Sequence, residues 1–304
     1  QVGIAGLAHV HAVAPHEPPR ICRRTDERRQ STVLDGPVIA EWLPVSVAAL
    51  VLLLVAAGVA GWVDAVVGGG GLIQLPALVI AVPKDIATPF ILGTNKLSSF
   101  FGTLSASWVY LRKIRVQLVL LAPLVVGAYA GSTVGAALSR YVPREVLTPI
   151  VLVAVIAVAV YPLVKPKMGL HHEPRHDRTA AIAWRAGAIG LAVGFYDGIL
   201  GPGTGSFFVI LIVGVLGYGF LQASVNAKIA NLTTNLAALA VYGVHGEILL
   251  ALGLAMAVLN VTGGFIGAHM ATRNGSGFVR VVFLVTLSLL IVKLAWDTVV
   301  QFTA

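Results

Sequence analysis

The 304-residue chain is 57% hydrophobic and 11% charged, with a mean hydropathy of +0.89 and a formal net charge of +8. That balance excludes a soluble domain and describes a polytopic membrane protein. Its basic clusters at Arg20 to Arg29, Arg112-Lys113-Arg115 and Lys165 to Arg185 read as topology signals, with no nucleic-acid partner expected. The single cysteine, Cys22, lies in a polar stretch, which excludes an intramolecular disulfide and a thiolate metal cluster.

Residues 1–43 are rich in Pro, His and Arg and predict a flexible polar tail, in which His9, His11 and His16 are too loosely spaced to hold a metal. Apolar segments follow at 45–67, 72–82, 89–111, 117–139 and 146–164. The hydrophilic KPKMGLHHEPRHDR then marks a linker over 165–179, where nothing fixes a metal geometry for His171, His172 and His176. A second apolar set runs over 180–200, 206–216, 221–243, 248–271 and 279–299. The expected fold is an all-α polytopic membrane protein with two halves, 44–164 and 180–304, of about five membrane segments each.

The second half copies the first. GWVDAVVGGGG from Gly61 aligns with GFYDGILGPGTG from Gly194, pairing Asp64 with Asp197 and Gly68 with Gly201. TNKLSSFFGT from Thr94 falls on NAKIANLTTN from Asn226, so that Lys96 meets Lys228 and Thr103 meets Asn235; Tyr110 then meets Tyr242, and GSTVGA at Gly131 meets GGFIGA at Gly263. Internal duplication is a common plan for secondary transporters, whose substrate site lies between the halves near the bilayer midplane.

Each glycine cluster follows a full-length apolar segment and precedes one of about 11 residues, near 16 Å of helix and too short to span. This is a broken-helix pattern, in which freed backbone groups line a cavity. Gly69, Gly70 and Gly71 in one half, and Gly203, Thr204 and Gly205 in the other, would bring half-helix N-termini to an anion. Tight packing is the alternative use of such glycines, and it is the reading for Gly131, Gly135, Gly263 and Gly267, spaced four apart.

A polar stripe crosses the next segment of each half: Thr94, Asn95, Lys96, Ser98, Ser99 and Thr103, then Asn226, Lys228, Asn231, Thr233, Thr234 and Asn235. Lys228, Asn231 and Asn235 share one helical face. A lysine at a helix centre in a bilayer costs about 3 kcal/mol, so two at matched places predict an electropositive cavity built by both halves, unless they snorkel to the headgroups. Asp64 and Asp197 are expected to pair with the lysines or cap the half-helices, ahead of carrying a coupling proton. Lys293 and Asp297 read as an ion pair at a helix end.

The segments GWVDAVVGGGGLIQLPAL, GTNKLSSFFGT, GFYDGILGPGTGSFF and NAKIANLTTNLAAL together resemble the TauE/SafE family of sulfite and organosulfur anion exporters over residues 45–300. The resemblance implies export of a small sulfur-containing anion, such as sulfite or sulfoacetate, across the prokaryotic cytoplasmic membrane, without a cofactor. An odd number of segments per half would invert the two repeats, the geometry of alternating access, whereas counting each broken pair as one span would make them parallel; five plus five is favoured. The bilayer is the obligate partner and a homodimer is compatible. No HExxH, GxSxG or Walker loop is present, so an enzyme is not expected. An anion channel and a membrane subunit that binds without transporting remain the alternatives.

Overall fold

A computed structural model describes residues 44–143 and 179–303, the side chains of the last helix only as far as residue 288, with residue 287 excepted. The tail, the 146–164 segment, the linker and the Lys293–Asp297 pair lie outside the described set. The described residues form helices and no strand: α1 Val47–Val67, α2 Gly71–Ala81, α3 Thr88–Lys113, α4 Leu118–Ser139, α5 Thr179–Ile199, α6 Thr204–Leu211 continued by a π-helical turn Ile212–Leu216, α7 Phe220–Val244 and α8 Leu250–Thr303. Gly275 (φ 74, ψ −168) breaks α8 between the two segments expected there.

The short helices α2 and α6 sit where the glycine clusters predict them. α1 stops because Gly68 takes the left-handed conformation (φ 81), its N–H closing on the carbonyl of Asp64, and Gly201 makes the equivalent turn after α5 (φ 88). Only glycine adopts these angles without strain. α1, α4, α5 and the first arm of α8 are long and apolar enough to span a bilayer. α3 and α7 have 26 and 25 residues, equally long, but carry the polar stripes. Burial among the other helices shields those stripes, while Val51, Val55, Trp184 and Val258 point outward as a lipid-facing surface does.

Helix direction follows from cross-contacts. Along α3 and α7, Thr103 lies beside Asn235 and Gly93 beside Tyr242, so these equivalent helices run antiparallel. α4 and α5 run parallel, since Gly127 meets Gly187 and Leu191 whereas Gly135 meets Phe195 and Ile199. α1 and the first arm of α8 do likewise, with Gly58 against Leu259 and Trp62 against Gly267 and Met270. Equivalent elements of the two halves therefore point in opposite directions, as inverted repeats must. The closest helix crossings also join different halves. A Cβ on Gly131, Gly135, Gly263 or Gly267 would overlap or crowd the backbone of the facing helix, so these four are packing glycines.

The direction of the helices sorts the charges. One face carries Lys84, Asp85, Arg140 and Glu247, two of each sign, with Arg140 and Glu247 paired at 3.8 Å. The opposite face carries Arg112, Lys113, Arg115, Arg185, Arg273 and Arg280 and no acidic residue among the described ones. The other four charged side chains among the described residues, Asp64, Lys96, Asp197 and Lys228, lie between them.

Candidate functional site

Both helix breaks open on one small cavity, lined by Asp64, Gly68, Gly71, Asn95, Lys96, Ser99, Asp197, Gly201, Thr204, Gly205, Asn231 and Asn235. Eight of the twelve lining residues form equivalent pairs from the two repeats: Asp64 with Asp197, Gly68 with Gly201, Gly71 with Thr204, and Ser99 with Asn231. Its volume of about 20 Å³ accommodates one water. The N-terminal residues of α2 and α6 line it from both sides, so the positive ends of two half-helix dipoles converge there.

Lys96 and Lys228 are both 2% exposed, buried among the helices and not snorkelling to the surface. Each ammonium meets the carboxylate of the other repeat: Lys96 Nζ lies 2.6 Å from Asp197 Oδ2, and Lys228 Nζ lies 2.7 Å from Asp64 Oδ2 while also donating to the Asp64 carbonyl. The expected electropositive cavity is thus corrected. Two ammoniums and two carboxylates leave it formally neutral, because an unpaired ammonium in this low-dielectric setting would be too costly. Asp197 also accepts from Thr204 Oγ1 (2.6 Å), which ties the end of α5 to the first residue of α6. Gly201 leaves room for the Lys96 ammonium, which a Cβ there would approach to 2.9 Å.

The symmetry extends outward. Tyr110 donates to the carbonyl of Ala65 (2.8 Å) and Tyr242 to that of Gly198 (3.2 Å), each the residue after a site aspartate. α1 and α6 cross at Gly68 and Gly205 so closely that a Cβ on either would collide with the other's backbone. Ser206 secures the crossing by donating its N–H to the Gly68 carbonyl (3.1 Å) and its hydroxyl to that of Val67 (2.9 Å).

Among the residues expected at a substrate site, Gly71, Asn95, Lys96, Thr204, Gly205, Asn231 and Asn235 line the cavity with both aspartates, and Lys228 reaches it through Asp64. Gly69, Gly70, Thr94, Gly203 and Asn226 lie outside the lining. A Cβ on Gly70 would strike Ala60 and Asp64, so that glycine serves α1 packing, and Gly203 faces Leu72. Thr94 donates to the Phe90 carbonyl and accepts the N–H of Leu249, and the Asn226 amide turns back to the Gln222 carbonyl.

The sequence reading missed Gly68 and Gly201 as lining residues and also missed a buried polar network behind Asn95. Gln74 donates to the Asn95 carbonyl (3.4 Å) and accepts from Asn260 Nδ2 (2.7 Å) and Ser98 Oγ (3.4 Å), binding α2 to α3 and α8. The signal available was a lone amide in an otherwise apolar half-helix. Asn95 Oδ1, buried at the cavity, has no hydrogen-bond partner in the protein, which marks it for a water or a substrate donor. The described residues contain no group of side chains arranged to hold a metal.

The family model for "Sulfite exporter TauE/SafE" matches residues 53–294. The chain is 36% identical to "Probable membrane transporter protein ORF9" of a Sinorhizobium species over 82% of its own length and 93% of that protein's. It is 33% identical to a "Probable membrane transporter protein" of Haemophilus influenzae, with 82% and 95% covered, and 32% identical to "Probable membrane transporter protein YfcA" of Escherichia coli, with 81% and 90% covered. No solved structure matches the chain.

Proposed function

The chain belongs to the sulfite exporter TauE/SafE family and is a multi-pass membrane transporter, and from that premise we propose that it is a secondary carrier that exports a small oxyanion, sulfite or an organosulfonate such as sulfoacetate. The observation that carries this reading is one cavity, lined by residues of both repeats, at which two half-helix N-termini meet the buried Lys96 ammonium and the Asp64 carboxylate that holds Lys228. Around an anion there, Lys96 and Lys228 supply charge, while Asn95, Ser99, Thr204, Asn231 and Asn235 supply polar groups that can orient its oxygens.

Because the site is neutral and water-sized, substrate does not simply drop in. An arriving anion replaces a carboxylate as partner of a lysine, and the cavity widens as the pair opens. Inverted repeats relate the two opened forms by a pseudo-two-fold axis in the membrane plane, which supports alternating access around a fixed midplane site. The all-basic face is cytoplasmic by the positive-inside rule, and the charge-balanced face is external. Bacterial relatives support a prokaryotic cytoplasmic membrane as its location.

The test is a panel of sulfite, sulfate, thiosulfate, sulfoacetate and a carboxylate in proteoliposomes of the purified protein. Saturable uptake with counterflow between labelled and unlabelled anion is expected for at least one sulfur anion. Flux without counterflow would make it a channel, and no flux at all would make it a binding subunit.

A further inference from the structure

The seam between α1 and the first arm of α8 carries a feature that transport does not use. An apolar groove of about 310 Å³ runs along it, lined by Gly58, Val59, Trp62, Leu259, Thr262 and Ile266 among others. Toward the all-basic face lies a cavity of about 550 Å³ lined by Lys113, His269, Met270, Arg273 and Asn274. The two follow one another along α8. On α8, residues 259, 262, 263, 266, 269, 270 and 273 recur at three- and four-residue intervals and so form one stripe. Trp62 of the groove donates its indole N–H to the sulfur of Met270 in the cavity (3.2 Å).

The basic end has no acidic neighbour paired with it among the described residues. Lys113 donates to the hydroxyl of Thr272 (3.2 Å), and no carboxylate among the described residues pairs with Lys113 or Arg273. Trp108, with the Arg112 guanidinium stacked 4.3 Å above its ring, sits on the same end of α3, a pairing typical of the headgroup level. An apolar groove about 10 Å long, at 1.5 Å per residue from Leu259 to Ile266, followed within about another 10 Å along α8 by a cavity bearing two cations, has the polarity of one lipid.

We propose that this seam binds an anionic phospholipid, with an acyl chain in the α1–α8 groove and the phosphate held by Lys113 and Arg273. The charge fits an anionic headgroup, the groove fits hydrocarbon, and the stripe joins them in the order a lipid requires. The site is separate from the transport cavity and does not depend on the identity of the transported anion.

The test uses the purified full chain in detergent and reads retained lipid by native mass spectrometry, with phosphatidylglycerol and phosphatidylcholine supplied together. Wild type is expected to retain phosphatidylglycerol preferentially, and K113A/R273A to lose about thirtyfold of that preference, since each cation near an anionic lipid surface contributes about 1 kcal/mol. Filling the exposed groove with Ile266→Trp should lower the occupancy of both lipids without changing the ratio between them. Equal retention of the two lipids by wild type would overturn the proposal. So would glycerol 3-phosphate displacing phosphatidylglycerol at equal concentration, which would assign the basic cavity to a free anion. A wild-type dimer that Ile266→Trp dissociates, with no lipid bound, would assign the seam to a second copy of the chain instead.

Discussion

Replacing Asp64 with Leu removes the carboxylate partner of Lys228, an ammonium 2% exposed whose remaining acceptor is the main-chain carbonyl of Asp64. Leaving one charge of a buried pair uncompensated costs about 3–5 kcal/mol, whereas replacing both by apolar side chains of similar volume is close to neutral. Asp64→Leu should therefore destabilise strongly, and Asp64→Leu/Lys228→Met should recover most of the loss, a coupling of about 3 kcal/mol in a double-mutant cycle. The Lys96–Asp197 cycle should have the same sign and be at least as large. Asp197 is 1% exposed where Asp64 is 14%, and it also holds Thr204. Equilibrium unfolding in mixed detergent and SDS micelles measures all four corners. A double variant no more stable than Asp64→Leu alone would refute the claim that the two groups are partners. Loss of binding in Asp64→Asn would agree with a structural pair; a stable Asp64→Asn protein that exchanges anion but ignores an imposed pH gradient would make the carboxylate a proton carrier.

Gly68→Ala or Gly205→Ala should abolish folding, read as loss of a monodisperse peak, because the new Cβ meets backbone that no side-chain rotation can clear. Gly70→Leu should also fail at folding and not at substrate binding, since its side chain collides with α1; a stable Gly70→Leu protein with raised KM would return that glycine to the anion site. Asn231→Leu, at the cavity wall, should raise the KM for anion about tenfold or more by removing one polar contact to a charged ligand, with little change in unfolding. In a Cys22→Ser background, Arg115→Cys should react with an impermeant maleimide only from the cytoplasmic side and Lys84→Cys only from outside; the reverse pattern would invert the orientation assigned from loop charge.

Much of this site was legible because charges, amides and glycine clusters are rare in apolar runs, and duplication marks which of them matter. Asp64, Lys96, Asp197 and Lys228 each have an equivalent, and both half-helices have the expected length. What periodicity cannot give is the helix opposite. It places Lys228, Asn231 and Asn235 on one face, and pairing of the lysines with Asp64 and Asp197 is expected from the sequence. It does not say that each lysine meets the aspartate of the other half and that the two pairs leave the cavity neutral. A run of four glycines likewise does not reveal that Gly68 makes the turn and the close crossing while Gly70 packs on Ala60. Gln74 and Asn260 escaped because the matching positions, Phe207 and Ala128, are apolar, leaving no repeat to draw attention to them.

The central claim, that one small oxyanion sits between the repeats against both lysines, is tested most directly with selenite, the heavier homologue of sulfite, in crystals of the protein. Once selenite is shown to compete in counterflow, the account predicts a single anomalous selenium peak inside the enlarged cavity, between the Lys96 and Lys228 ammoniums and beside Thr204 and Asn231. A peak confined to the basic face, or an unoccupied cavity at selenite concentrations that saturate transport, would contradict it.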